Sequence, residues 1–166
     1  MSNLSRIIKD RAIIDDHWRV IHDVSELPPA GDVIVTLAFW HSHRDALLSR
    51  DGKLGVWIKP DDDVAEIVND LAHFAVIAID FPAFADGRGY SSAYLLRTRY
   101  GYTGELRAVG DVLRDQMFYM LRVGFNAFAV RADRSIEDAL KSLNDFTDVY
   151  QASVDQPQPH FRRHAA

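Results

Sequence analysis

The seven residues from Ala75 to Phe81, AVIAIDF, form an apolar run interrupted only by Asp80. A run this short, with no polar alternation, suits a strand buried on both faces, as in a parallel sheet covered by helices. The rest of the chain repeats the plan. Asp32–Leu37 and Leu54–Ile58 read as further strands, Glu105–Val109 and Asn126–Arg131 as two more, and segments of helical spacing fall between them. Val64, Ile67, Val68 and Leu71 keep that spacing, as do Val112, Leu113, Gln116, Met117, Met120 and Val123, and then Ala139, Leu140, Leu143 and Phe146. Alternation of strand and helix about five times predicts an α/β fold with a mainly parallel sheet of about five strands and flanking helices, either doubly wound or a partial barrel. The 166 residues are too few for a complete eightfold barrel. Arg6–Ile21, ahead of the Pro28-Pro29 break, reads as an N-terminal hairpin or meander. Residues 1–150 are expected to form one domain, and 151–166, rich in Gln, Pro and His, a flexible tail.

Ligands of such folds bind beyond the carboxyl ends of the strands, so the residues after Ala75–Phe81 are where a site is expected. There the chain reads Asp80-Phe-Pro, then Asp86-Gly87-Arg88-Gly89-Tyr90-Ser91-Ser92. Gly87-x-Gly89-x-x-Ser92 lacks the third glycine and the tight turn of a dinucleotide fingerprint. Backbone N–H groups at Gly87 and Gly89, a helix capped by Ser91 or Ser92, and Arg88 can together hold a small oxyanion. An Asp-Gly turn with Arg88 paired to a neighbouring acid explains the same residues equally well. Further on, Glu105 and Arg107 fall on one side of a strand, and Asp111 follows Gly110 at a helix start. Asp80, Asp86 and Glu105 are the candidate acid–base residues. Gly87, Arg88, Gly89, Ser91, Ser92, Arg97, Arg107, Asp111 and Arg114 are the candidates for binding an anion or a partner.

Several functions are excluded or disfavoured. The chain has no cysteine, which rules out thiolate-held metals, iron–sulfur clusters and thiol chemistry by its own residues. A net charge of -5 disfavours nucleic-acid binding, and no apolar run is long enough for a membrane span or signal peptide, so a cytoplasmic location is expected. Asp61, Asp62 and Asp63 suit a helix N-terminus better than a metal site, and His41-Ser-His43 at a helix start does not turn both rings one way. No metal site is expected.

Asp80-Phe81-Pro82, Asp86 to Ser91, Leu95-Leu96-Arg97, the run from Gly104 to Gln116 (GELRAVGDVLRDQ) and Arg122-x-Gly124-Phe125 resemble the bacterial "domain of unknown function 934" family, with a weaker match toward the N-terminus. Val123 and Asn126 depart from the family pattern, where cysteine and aspartate are frequent. The resemblance implies a cytoplasmic protein whose genes commonly accompany assimilatory sulfite reductase; some members are labelled probable oxidoreductases of sulfite reduction. It points to a partner of that reductase, or of another sulfur-assimilation protein, with siroheme or flavin binding left open. The alternative is a small enzyme that binds a phosphorylated or sulfated metabolite through the Gly-Arg-Gly loop.

Overall fold

Asp10 and Arg11 both adopt left-handed φ, 50° and 65°, the geometry of a two-residue turn matched to the twist of its flanking strands. The turn joins β1 (Ser5–Lys9) to β2 (Ala12–Asp16), setting Ile7 opposite Ile14 and Ile8 opposite Ile13. In this computed structural model, which describes residues 5–83 and 86–145, the expected hairpin is present. The expected meander is not. β3 (Arg19–Ile21) pairs in parallel with β4 (Val33–Thr36), at the far edge of the sheet from β2.

Beyond β4 come β5 (Leu54–Ile58), β6 (Phe74–Phe81), β7 (Glu105–Gly110) and the two-residue β8 (Ala127–Phe128), giving the order β2-β1-β8-β7-β6-β5-β4-β3. β3 to β8 are parallel, while β1 runs antiparallel to both β8 and β2. The sheet is therefore mixed and has eight strands where the sequence predicts about five, mainly parallel. The three strands beyond the expected five come from Arg6–Ile21, expected as a separate hairpin or meander: β1 and β2 join the sheet against β8, and β3 joins it against β4.

Only His17 and Trp18 separate β2 from β3, which run in the same sense at opposite edges. The reach of the chain holds Asp16 and Arg19 within about 11 Å. A flat sheet of eight strands cannot meet that limit, so the sheet curls into a half-barrel with its edges tied together. Strand order follows chain order from β3 to β8, and right-handed crossovers then place the helices on one face. Of the two expected arrangements this is the partial barrel.

The helices are α1 (Leu37–Ser42), α2 (Arg44–Leu48), α3 (Arg88–Thr98), α4 (Arg114–Val123) and α5 (Ile136–Asn144). Val64–His73, expected as an α-helix, is a 3-10 helix whose buried Val64 and Ile67 lie three apart, the spacing that a three-residue turn superposes. Asp63 caps it through the Ala65 N–H at 2.9 Å, and Ser135 caps α5 through Asp138 N–H at 3.2 Å. The main core lies between helices and sheet, with Ile77, Ile79, Leu106 and Phe128 facing Trp40, Leu96, Met117 and Leu143. On the concave face Ile34, Val76, Ala78 and Val109 form a second, smaller core under Trp18, Val20 and Trp57.

α3 rests on β6 through Gly89, where a Cβ would lie 2.7 Å from the Phe81 ring and 3.0 Å from Ile79 Cγ2. Gly89→Ala should lower stability by about 1–3 kcal/mol through overpacking. Urea denaturation reads this directly, and an unchanged midpoint would show that α3 does not press on the strand.

Candidate functional site

Asp80 stands at the carboxyl end of β6, on the concave side shared with Val76 and Ala78. Its Oδ1 occupies the space over Gly110, whose φ is +91° and where a Cβ would lie 2.6 Å away. Burial raises the Asp80 carboxyl above the usual aspartate range; the indole of Trp57 and the ammonium of Lys59 pull it back, and the charge of Asp86 adds to the rise. Among the described residues no Lys, Arg or His forms an ion pair with Asp80. Of the three candidate acids it alone is in no ion pair among the described residues, and it stands at a strand's carboxyl end. Trp57 was not anticipated; its sequence signal, an aromatic one residue before the end of an apolar strand, is shared by many core residues.

The Gly87–Gly89 loop is engaged from within. α3 starts at Arg88, so Ser91 and Ser92 lie inside its second turn and cap nothing. Asp86 accepts the Arg88 N–H at 3.1 Å and receives its guanidinium at 3.1 and 2.8 Å, which lowers the Asp86 carboxyl chiefly through these hydrogen bonds. The chain's own carboxylate therefore sits where an external oxyanion would. Gly89 is required for packing on Phe81, whereas a Cβ on Gly87 would meet only the Tyr90 ring, at an ordinary contact distance of 4.0 Å.

Arg97 lies near the opposite end of the sheet. Its guanidinium donates to the carbonyls of Gly124 (2.9 Å), Tyr102 (2.8 Å) and Gly104 (2.8 Å), and to Asn126 Oδ1 at 3.4 Å. Burial among neutral acceptors lowers its proton affinity, with Tyr102 and Asp10 opposing. It fastens the end of α3 to the loops before β7 and β8.

Glu105 and Arg107 share the concave face, as their alternation implies, but both are buried. Arg107 Nε donates to Glu105 at 2.7 Å and its Nη1 to Asp16 at 3.1 Å, while Lys9 lies 3.3 Å from the other Glu105 oxygen. These two cations and two anions link β7, β1 and the end of β2. Lys9 and Asp16 were not foreseen, because 91 residues separate Asp16 from Arg107.

Asp111 is not a helix cap. α4 begins three residues later at Arg114, and Asp111 pairs with Arg131 at 2.8 Å. Arg131 also binds Asp133, two residues on, at 2.7 Å; its Asp111 partner, 20 residues back, is the one that sequence spacing conceals. Arg114 is exposed, 3.9 Å from Asp115, on a cleft of about 450 Å³ between the starts of α4 and α5 that Leu113, Arg134, Ser135 and Asp138 also line. That cleft lies beside the carboxyl ends of β7 and β8 and does not include Asp80. Among the described residues no group of three His, Asp or Glu is placed to hold a metal.

Among the described residues no helix is long and apolar enough to cross a membrane. A family model described as "Bacterial protein of unknown function (DUF934)" matches residues 55–161, from β5 past α5, and leaves β1 to β4 outside. No curated protein and no solved structure matches the chain.

Two measurements probe these assignments. Arg107→Ala removes the buried cation between Glu105 and Asp16, leaving Glu105 with Lys9 alone, and should cost about 3–5 kcal/mol of stability; a loss under about 1 kcal/mol would mean that Lys9 and water compensate the network. Asp80→Asn removes a carboxyl whose folded value is raised, so the charged form penalises folding at neutral pH. The variant should melt about 1–2 °C higher at pH 7, with the gain shrinking as pH falls through the raised value and gone below the ordinary carboxylate range. A lower melting temperature at pH 7 would contradict this picture.

Proposed function

Because the chain belongs to the bacterial DUF934 family, we propose that it is an accessory protein of assimilatory sulfite reduction, a cytoplasmic partner of sulfite reductase and not the siroheme and iron–sulfur catalyst. The observation that carries this reading is where the polar groups of residues 80–131 go. Asp86 with Arg88, Arg97 with its carbonyls, Glu105 with Arg107, and Asp111 with Arg131 are each engaged inside the chain. What this leaves outward is helix surface, the material of a docking protein. A chain without cysteine also supplies no thiolate to a reductase cluster.

A second reading, a small acid–base enzyme acting on a phosphorylated or sulfated metabolite, has Asp80 in its favour: a carboxyl of raised proton affinity at the end of a central parallel strand. Holding the anion at Gly87–Gly89 would then require displacing Asp86.

Tagged protein should co-purify with sulfite reductase, and deletion of its gene should slow growth on sulfate but not on cysteine. No binding together with unchanged growth would end the accessory reading. In a thermal-shift screen with sulfate, phosphate, sulfite, nucleotides and flavins, a ligand-specific shift abolished by Asp80→Asn or Arg88→Ala would favour the enzyme instead.

A further inference from the structure

A hollow of about 290 Å³ opens where β5 and β6 begin, at the end of the sheet opposite Asp80. Its floor is apolar, made by the buried side chains of Leu47, Leu54 and Phe74. Leu48, the last residue of α2, stands on the rim and is 41% exposed. Ala75 forms the far lip. The register of β5 with β6 passes from Leu54 opposite Phe74 to Gly55 opposite Val76, so Ala75 has no opposite residue on β5. This β-bulge turns Phe74 toward the helix-side core, away from the concave face of Val76, and leaves Ala75 exposed beside the hollow.

The ionisable groups that line the hollow are Arg50, Lys53 and His73, with no carboxylate among them, in a chain of 24 acids and net charge -5. Arg50 donates to the carbonyls of Pro28 at 2.9 Å and Gly31 at 3.0 Å, which fixes its guanidinium without neutralising it. Lys53 is exposed, and among the described residues neither cation forms an ion pair. Asp32, whose charge Lys53 feels, already pairs with His17 at 2.7 Å and accepts the Lys53 backbone N–H at 2.8 Å. Positive charge and apolar floor therefore belong to one depression. Such a rim attracts acidic occupants and rejects basic ones, while the floor takes an apolar anchor. Sites for whole small molecules run from roughly 300 to 1,000 Å³. This hollow lies below that range, and Leu48 carries apolar surface past its rim, which suits one anchoring side chain of a larger partner.

We propose that the hollow binds an acidic segment of a partner protein, seating an apolar side chain over Leu47, Leu54 and Phe74 and a neighbouring carboxylate against Arg50 and Lys53. Residues 47–54 precede residues 55–161 matched by the family model, so this contact is separate from the accessory reading and either can fail without the other.

A phage-displayed library of random peptides, selected against the full chain, tests it. Enriched peptides should place Asp or Glu beside a Leu, Ile, Phe or Trp. A synthetic peptide of the enriched sequence should bind about tenfold more weakly to Lys53→Glu and to Leu48→Asp, and more weakly as salt rises. Both side chains are exposed, so the melting temperatures of the variants should be unchanged. Amide NMR signals should shift at residues 47–54 and 72–75. No enrichment, enriched peptides without acids, or binding unchanged by either substitution would overturn the proposal. So would occupation of the hollow by decanoate where no peptide binds, which would make a small amphiphile the ligand, or a dimer of the purified chain that Lys53→Glu dissociates, which would make this a contact between copies.

Discussion

His17 and Trp18 are all that separate two strands lying at opposite edges of an eight-stranded sheet. The link is too short to cross an open sheet, so curvature is a covalent requirement before it is an energetic preference. Packing then follows it. The concave side closes over Ile34, Val76, Ala78 and Val109 with Trp18 and Trp57 as cover, and the helices share the convex side. Arg107, reaching Asp16 at the end of β2, and His17, 2.7 Å from Asp32 at the start of β4, fasten the closure on either side of the link.

The same geometry decides what the charged residues do. Arg107 and Glu105 point into the hollow of the curled sheet, where ionised groups are tolerated only in compensated sets, and Lys9 and Asp16 complete the set. Arg97 fastens loops at one end of the sheet, and Asp111 with Arg131 ties loops at the other. A segment dense in glycine, arginine and acid is thus largely the joinery of a half-barrel built from short strands and short helices. Asp80, at the mouth of the sheet, and the cleft beside α4 and α5 lie outside these ion pairs.

Much of the frame was legible in the sequence. β4 to β7 are apolar runs long enough to show, and Asp63, Ser135 and Gly124 mark helix ends through local hydrogen bonds and turn geometry. The ambiguity at Asp86 to Gly89 was also legible, since an Asp two residues before an Arg satisfies a helix start as readily as an anion does. What could not be read depends on distant pairing. β3 sits beside β4 because the sheet curls, the strand expected over Asn126–Arg131 is only two residues long, and the partners of Arg107, Asp111 and Arg97 come from other elements. The early start of α3 follows from Gly89 settling onto Phe81, a contact with no sequence periodicity.

Amide hydrogen exchange of the purified protein, alone and with sulfite reductase, tests the central claim that the polar motif builds the fold while the helix surface meets the partner. Slowed exchange confined to the helices, with the carboxyl ends of β5 to β7 unchanged, is the result expected. Protection centred on Asp80 and Gly110, with the helices unaffected, would contradict it and move the function to the mouth of the sheet.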